Sequence, residues 1–280
     1  MDILLVSDFG IHHNLGGAQR SNQILIQEGF NRGHNIKCHH YDTPGIPKGD
    51  YDIVISSNLE VLNNQEPGMI DWLNGLPNHV RLEHDMCHYL DNSRRQTLYE
   101  NCKKTFFLTP HHYNCYKKYY GDYFVNVEIV PDPIDTSVFY DYKKATINRV
   151  VYIGFLHELK GLEKLYTFAK STPMEVDIYG WGDKGWISKF EELPNCMIHG
   201  PVAHEKIAEI LNRYSYMFLE PVLDEPFCRA VGEALCCGVE IISSSNNIGS
   251  LELYKEVGHD KYMEMVGQAG TKFWEILEQL

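Results

Sequence analysis

Short apolar runs separated by stretches of helical periodicity organise the whole sequence. Residues 3–6, 53–55 and 150–153 are continuous apolar segments, which is typical of parallel strands buried on both faces of a sheet. Each run leads into a polar or glycine-containing loop, and a helical stretch follows the first and the last of them. This repetition of strand, loop and helix predicts an α/β protein with doubly wound sheets.

The repetition starts twice. Residues 140–148 form a polar, lysine-containing segment, after which the strand and helix pattern begins again. The length of 280 residues suits two domains of about 140 residues each. We therefore expect one domain over residues 1–140, a second over residues 141–268, and a final helix within residues 269–280.

The loop after the first strand contains a pair of glycines. Gly16 and Gly17 precede a predicted helix that carries Arg20 near its start. Glycines between a strand and a helix let the backbone approach a ligand at the helix start. The pattern is neither a dinucleotide fingerprint nor a phosphate-binding P-loop, so a tight turn explains it equally well from the residues alone.

A later strand is predicted to end in polar side chains. Residues 80–85 read as a strand that presents His84 and Asp85 at its carboxyl end, where ligands bind in open α/β sheets. A single histidine is often a packing residue, although Glu83 beside it favours a site. The next predicted helix adds the positive charge of Arg94 and Arg95.

Residues 224–238 are the most informative stretch. They predict an acidic loop and a helix that begins near Phe227 and ends at Gly238, so Glu225 and Glu233 bracket one helix start. A helix N-terminus attracts phosphate, and carboxylates accept hydrogen bonds from hydroxyl groups. This combination suits a nucleotide sugar, whereas the alternative is a helix-terminal charge at Glu225 and a solvated Glu233.

The same stretch carries a resemblance to a known family. Glu225, Phe227, Arg229 and Glu233, followed by an alanine, a glycine and an apolar strand, resemble the signature of retaining GT-B glycosyltransferases of the large family-4-like group. The resemblance implies that Glu225 contacts sugar hydroxyls of the donor and that Glu233 contacts the ribose. Cys228 stands where the family usually has glycine or serine near the phosphates, which implies a position beside the donor.

Other segments resemble the family in the same order along the chain. The loop at Gly16, Gly17 and Arg20 is similar to its first glycine loop. Residues 154–161 are similar to its Gly-Arg-Leu and Lys-Gly loop, with Lys160 kept and Phe155 in the arginine position. The family likeness also implies a histidine near the donor sugar at His84 and a base- and ribose-binding glycine at Gly180.

Loss of the arginine at Phe155 leaves one fewer cation for the donor diphosphate. Arg20 and Arg229 are the candidates to replace it, although Arg229 is also suited to a structural ion pair. Asp132 and Pro133 depart from the family too, because they replace an Asn-Gly turn at the crossing into the second domain.

The resemblance implies a GT-B fold, in which two Rossmann-like domains face a cleft and the last helix packs back across them. It also implies transfer of a sugar from a nucleoside-diphosphate sugar, most often a UDP-sugar, with the anomeric configuration retained. The family needs neither a metal ion nor a cofactor for this reaction. Two alternatives stay open: a catalytically inactive nucleotide-sugar-binding protein, which Phe155 and Cys228 favour, and a nucleotide-sugar epimerase.

Charge and composition limit the acceptor without identifying it. The net charge of −13 opposes nonspecific binding of nucleic acid over the whole surface. Residues 81–118 are a local exception with seven lysines and arginines, so DNA with a hydroxymethylated base stays among the acceptor classes beside a merely solvated helix face. Asp85, Arg94 and Arg95 are the candidate acceptor-side residues.

The sequence has no pattern typical of a membrane span, a signal peptide or a metal site. No apolar run approaches the roughly 20 residues of a membrane span, and the start has no signal-peptide pattern, so we expect a cytoplasmic protein. The eight cysteines have no zinc-site spacing, which indicates free thiols. His111 and His112 are adjacent and lack a third ligand at useful spacing, so no metal site is predicted.

Overall fold

The computed structural model describes residues 1–10, 16–43, 45–86, 92–124, 126–142 and 147–280, and within these ranges it leaves out the side chains of residues 92–95, 147 and 148. The chain forms two compact units. The first comprises Met1–Pro133 together with Met265–Leu280, and the second comprises Ile134–Glu264.

The first unit is built on a parallel sheet. Its strands are β1 (Asp2–Val6), β2 (Asn35–His39), β3 (Ile53–Ser56), β4 (His79–Leu82), β5 (Lys104–Phe107) and β6 (Val127–Ile129). They lie in the order β2-β1-β3-β4-β5-β6, and every neighbouring pair is parallel. The order reverses direction at β1, so the doubly wound arrangement predicted from the apolar runs is present.

Helices connect these strands. They are α1 (Gly17–Asn31), α2 (Glu60–Gln65), α3 (Met69–Asn74), α4 (Asn92–Asn101) and α5 (Pro110–Tyr120). Thr109 caps α5 by accepting a hydrogen bond from the His112 N–H, and Pro110 occupies its first position, as expected for a helix start.

The second unit repeats the design. Its strands are β7 (Ile147–Leu156), β8 (Val176–Gly182), β9 (Cys196–Gly200), β10 (Tyr214–Phe218) and β11 (Glu240–Ile242). They form a parallel sheet in the order β11-β10-β7-β8-β9. The connecting helices are α6 (Leu162–Ser171), α7 (Lys184–Glu191), α8 (Ile207–Leu211), α9 (Arg229–Cys236), α10 (Gly249–Val257) and α11 (His259–Gly267), with 3₁₀ turns at Glu158–Lys160 and His204–Lys206.

Two predicted elements differ from the structure. Residues 154–161 were expected to be a loop, yet β7 continues to Leu156 because Gly154, Phe155 and Leu156 pair with residues 180–182 of β8. The sequence of residues 204–214 also predicts a single helix, but a 3₁₀ turn and the short α8 occupy this segment and β10 begins at Tyr214. Cross-strand pairing, which periodicity does not reveal, decides the first of these ends.

The final helix α12 (Ala269–Leu277) packs on the first unit. The indole Nε1 of Trp274 donates a 2.7 Å hydrogen bond to the Leu25 carbonyl of α1, and the rings of Phe273 and Phe106 lie 4.7 Å apart. A Cβ on Gly29 would lie 2.4 Å from the Trp274 ring. Glycine at position 29 therefore makes room for the indole.

Candidate functional site

His84 lies just beyond β4, at the carboxyl end of the first sheet. Its side chain is buried, with Nε2 3.1 Å from the Asn22 Oδ1 of α1 and Nδ1 3.5 Å from the Asp132 Oδ1. Asp132 follows β6, so three separate segments meet at the imidazole. Both ring nitrogens of His84 therefore face oxygen atoms of the first unit.

Asp85 is held by its carboxylate and by its backbone. The amide of Asn58 donates to the Asp85 carboxylate, while the Asp85 carbonyl accepts from Tyr116 Oη at 2.8 Å and from His112 Nε2 at 3.0 Å. Burial lowers the pKa of His112 to about 4, so its ring is neutral near pH 7. The Leu108 N–H donates to His112 Nδ1, which fixes the proton on Nε2.

A buried ion pair lies on the strand that leads to His84. Arg81 and Glu83 are almost fully enclosed, and Arg81 Nη2 donates to Glu83 Oε2 at 3.0 Å. The Tyr99 hydroxyl donates to Glu83 Oε1 at 2.9 Å, and Tyr116 Oη lies 3.1 Å from Glu83 Oε2. This network was not predicted; its signal in the sequence was the arginine and glutamate two positions apart, which is the spacing of side chains on one side of an extended segment.

Asp8 occupies the carboxyl end of β1. Its Oδ1 accepts a 2.8 Å hydrogen bond from the Leu62 N–H in the first turn of α2. Burial, with a hydrogen bond to Glu60 as the second cause, raises the pKa of Asp8 from 3.8 to about 7. The folded protein therefore holds this proton at pH values where the unfolded chain has lost it.

We expect Asp8 to make the first unit less stable as the pH rises. Between about pH 4 and pH 7 the folded state binds one proton more than the unfolded state, so the free energy of unfolding falls through this window. The fall is on the order of 2–4 kcal/mol. Asp8→Asn keeps the amide oxygen for Leu62 and should flatten the dependence, as measured by urea denaturation at pH 4.5 and 7.5.

Asp50→Asn, at an exposed position of the same unit, is the matched control for this titration. It should leave the wild-type slope intact. Equal slopes for wild type and Asp8→Asn would contradict the assignment to Asp8.

The glycine loop is described only from Gly16 onward, because residues 11–15 lie outside the described ranges. Gly16 is the N-cap of α1 with extended φ of −176°, a conformation that any residue adopts. A Cβ there would meet only the Gln19 side chain, at 3.3 Å. Neither backbone nor packing requires glycine here, whereas Gly17 is the first residue of α1.

The candidate arginines of the first unit, Arg20, Arg94 and Arg95, lie on two different helices. Arg20 lies on α1, and its Nη1 donates to Gln23 Oε1 at 3.1 Å. Arg94 and Arg95 are backbone members of α4, and their side chains lie outside the described part of the chain. The helix predicted around them is confirmed.

Lys160 and Glu225 meet in the second unit. Lys160 Nζ lies 2.6 Å from Glu225 Oε1, and both side chains are partly exposed. Two backbone hydrogen bonds hold Glu225: its N–H donates to the Asn247 carbonyl at 2.7 Å, and its carbonyl accepts from Gly249 at 2.9 Å. The carboxylate is therefore anchored independently of its partner.

A glycine fixes the end of the turn that carries Lys160. Gly161 has φ of 77°, and a Cβ there would lie 1.9 Å from the Glu220 carbonyl oxygen. The left-handed backbone and this close approach both require glycine. The backbone conformation at Gly161 therefore fixes the position of Lys160.

Cys228 is the N-cap of α9 and has a left-handed backbone, with φ of 64°. This region favours glycine and costs other residues about 1 kcal/mol or more. Burial raises the pKa of the Cys228 thiol to about 12, and Glu225 adds to the rise. The thiol is therefore protonated near neutral pH.

Glu233 is buried in the second turn of α9 rather than solvated, so that interpretation was wrong. Its Oε1 lies 2.9 Å from Arg229 Nε and 2.9 Å from His204 Nε2. Of the two roles predicted for Arg229, a cation for the diphosphate and a structural ion pair, the structure contains the ion pair. His204 was missed, since nothing local links it to a residue 29 positions away.

Close packing explains the residues at two further candidate positions, Phe227 and Gly180. Phe227 is buried, and a Cβ on Gly232 would lie 2.6 Å from its ring. Gly180 lies within β8 rather than in a turn, and a Cβ there would lie 1.9 Å from the Gly154 carbonyl oxygen. Close approach of β7 and β8 therefore explains the glycine at position 180 without a ligand.

The contrast between Gly16 and Gly180 gives a paired prediction. Gly180→Ala should lower the free energy of unfolding by about 2–3 kcal/mol, because β7 and β8 must move apart. Gly16→Ala should cost less than about 1 kcal/mol, because its backbone is extended and a Cβ would meet only the Gln19 side chain. Urea denaturation of both variants tests this contrast, and an equal loss of stability in the two would contradict it.

Comparison with known proteins gives matches at the level of structure. Neither family models nor curated protein sequences match this chain. Sucrose-phosphate synthase from Thermosynechococcus elongatus superimposes with a TM-score of 0.73 at 14% identity, over 99% of this chain and 94% of its own. Anabaena Alr3699/HepE in complex with UDP gives a TM-score of 0.73 at 12% identity, with both chains covered fully.

A third similar structure contains nucleic acid. An α-glucosyltransferase in complex with UDP and a 13-mer DNA containing an HMU base gives a TM-score of 0.60 at 13% identity, over 99% of each chain. Similarity at this level of identity establishes the fold. The α/β fold of this chain, with two parallel sheets and flanking helices, is that of GT-B glycosyltransferases, as predicted. Among the described residues, no helix is both long and apolar enough to cross a membrane.

Proposed function

We propose that this protein transfers a sugar from a nucleoside-diphosphate sugar, a UDP-sugar in the first instance, to a hydroxyl group of an acceptor with retention of configuration. The observation that carries the proposal is the ion pair in which Lys160 Nζ lies 2.6 Å from Glu225 Oε1. Glu225 lies just before α9. A cation for phosphate and a carboxylate for sugar hydroxyls thus adjoin in a fold whose similar structures hold UDP.

Lys160 and the start of α9 are proposed to bind the diphosphate. In the free protein, Glu225 neutralises the ammonium group. A diphosphate carries more charge than one carboxylate, so we expect it to draw Lys160 away from Glu225 and to leave that carboxylate free for sugar hydroxyls. The positive end of the α9 helix dipole adds to the positive potential.

The proposed reaction balances without a separate base. The bond between the anomeric carbon and the phosphate oxygen breaks, and the acceptor oxygen bonds to the same face of that carbon. The departing diphosphate takes the acceptor proton. Lys160 stabilises the negative charge that develops on the leaving group, a contribution of several kcal/mol in preorganised sites, on the order of that of an oxyanion hole.

Glu233 and Arg229 are proposed to support the ribose side of this site. In the family that the sequence resembles, the second glutamate contacts the ribose. Here Arg229 and His204 share one of its oxygens, which holds the carboxylate in a fixed orientation. Their hydrogen bonds preorganise Glu233 for a ribose hydroxyl.

The acceptor is proposed to meet the carboxyl end of the first sheet. His84, with Asp132 and Asn22 on its two sides, and Asp85 lie there, and Arg94 and Arg95 follow on α4. Cationic side chains suit an acceptor that carries phosphate. DNA with a hydroxymethylated base is the acceptor class to test first, because one similar structure holds such a DNA.

A donor panel with product detection tests the function. UDP-, GDP- and ADP-sugars are incubated with the protein, with and without hydroxymethylated DNA, and sugar release, transfer and anomeric configuration are measured. Slow hydrolysis of one donor with transfer to an acceptor is the expected result. Tight donor binding without turnover would instead favour an inactive nucleotide-sugar-binding protein, which the loss of the arginine at Phe155 makes the second candidate.

A further inference from the structure

Two large aromatic side chains stand exposed at the carboxyl end of the second sheet. Phe155 of β7 and Trp181 of β8 are register partners on neighbouring strands, with 42% and 56% of their surfaces exposed. Their ring centroids lie 4.6 Å apart at an interplanar angle of 62°. Other large rings on the same sheet, such as Tyr152 and Phe218, are buried.

The backbone below holds this pair in place. Trp181 lies between Gly180 and Gly182, where a Cβ would come within 1.9 Å of the Gly154 oxygen and 2.2 Å of the Leu156 oxygen. The two strands thus approach more closely than side chains would permit. The rings project from a rigid strand pair, and adjacent exposed aromatic groups of this kind mark binding surfaces.

The ammonium group of Lys160 lies in the turn that follows Phe155 along the chain. The ring of His157 lies nearly parallel to Phe155, at 11° and 5.9 Å. His157 also begins the turn that carries Lys160: its carbonyl accepts from the Lys160 N–H at 2.9 Å. Exposed aromatic faces and an ammonium group are therefore joined by one short turn.

This combination selects a ligand with a planar ring and an anionic chain. A sugar alone lacks the charge, and a lipid lacks the planar ring. A nucleotide has both, because a base offers its π-face to aromatic side chains and its phosphates seek Lys160. A strand of nucleic acid is disfavoured at this surface, since nearby Lys164 is already paired with Glu220.

We propose that Trp181 and Phe155 form a stacking platform for the base of the donor nucleotide. The proposal rests on the proposed function and adds the residues that hold the base. Phe155 occupies the position where the family resemblance implies an arginine for the diphosphate. In this chain, that position supplies a base contact in place of a phosphate contact.

Equilibrium binding of UDP and of inorganic pyrophosphate to the full-length protein tests the platform. Trp181→Ala should weaken UDP between about 5-fold and 150-fold, the range for loss of one base–aromatic stack, and should leave pyrophosphate binding unchanged. Trp181→Phe should retain most of the UDP affinity. Trp186→Ala is the control, because Trp186 lies on α7 with Lys189 over its ring at 4.1 Å.

Tryptophan fluorescence gives a second readout. UDP should quench the wild type and Trp186→Ala, and the quenching should disappear in Trp181→Ala. The exposed position of Trp181 leads us to expect an unchanged melting temperature. UDP affinity unchanged in Trp181→Ala, or an equal loss for pyrophosphate, would overturn the proposal.

Two further outcomes separate this proposal from the proposed function. A wild-type protein that binds no nucleotide in either assay would overturn both. Normal UDP binding by Trp181→Ala, with a change from dimer to monomer in light scattering, would overturn the platform alone and identify the aromatic pair as a contact between copies of the chain.

Discussion

Glu225→Gln is expected to lower kcat for sugar transfer by about 10²–10³-fold while UDP still binds. Glutamine keeps the size of the side chain but loses the negative charge that would strengthen hydrogen bonds from sugar hydroxyls in the transition state. The backbone bonds of Glu225 to Asn247 and Gly249 do not involve the side chain. The fold of the segment should therefore survive.

The same substitution should not weaken UDP. In the wild type, the Glu225 carboxylate lies 2.6 Å from Lys160 Nζ and competes with the diphosphate for it. Glu225→Gln removes the competitor, so UDP should bind as tightly as to wild type or more tightly. Lys160→Met should show the opposite, with weaker UDP binding and slower transfer together.

Steady-state kinetics and calorimetry on both variants test this division of roles. Glu252→Gln is the matched control, since Glu252 pairs with Lys255 at 2.9 Å on α10 of the same unit. It should behave as wild type in both measurements. Unchanged turnover for Glu225→Gln would remove Glu225 from the chemistry, and loss of UDP binding in that variant would assign it to the nucleotide instead.

The strands of both sheets could be predicted because a buried strand appears in the sequence as a continuous apolar run. Residues 3–6 and 150–153 are apolar at every position, since both faces of a parallel strand are covered. Lys160 and Glu225 lie 2.6 Å apart, and the roles that the resemblance implies for them stay a prediction. Local sequence was sufficient for the strands.

Partners from distant segments could not be predicted. Glu83 is bonded by tyrosines of α4 and α5, and Glu233 by His204, yet no local pattern marks these side chains as neighbours. The end of β7 at Leu156 depends on pairing with Gly182 in the same way. The left-handed backbone of Cys228 was hidden too, because cysteine does not favour that conformation.

A common feature of both units is that candidate residues are held by other protein groups. His84 faces Asn22 and Asp132, and Glu233 shares one oxygen between Arg229 and His204. Fixed partners orient such groups before a ligand arrives, which limits the reorganisation that binding requires. Stability of the supporting contacts should therefore matter for function as well as for folding.

Glu83→Gln should destabilise the first unit by about 3–5 kcal/mol, because it leaves the guanidinium of Arg81 buried without a counter-charge. The side chains of Arg81 and Glu83 are each only 1% exposed, so water cannot replace the lost carboxylate. The hydroxyls of Tyr99 and Tyr116 would lose their charged acceptor at the same time. Urea denaturation followed by circular dichroism measures the effect on the first unit.

Glu128→Gln separates burial from the ion pair itself. Glu128 also pairs with a cation of the same sheet, with Lys104 Nζ 2.8 Å away, but its side chain is 35% exposed. A solvated pair contributes less than about 1 kcal/mol, so this variant should lose no more than that. If Glu83→Gln lost equally little, Arg81 would have to find another acceptor. Its remaining acceptors would then be uncharged, such as the Ser57 carbonyl and Ser56 Oγ, to which Arg81 Nη1 already donates, an arrangement that a buried guanidinium does not favour.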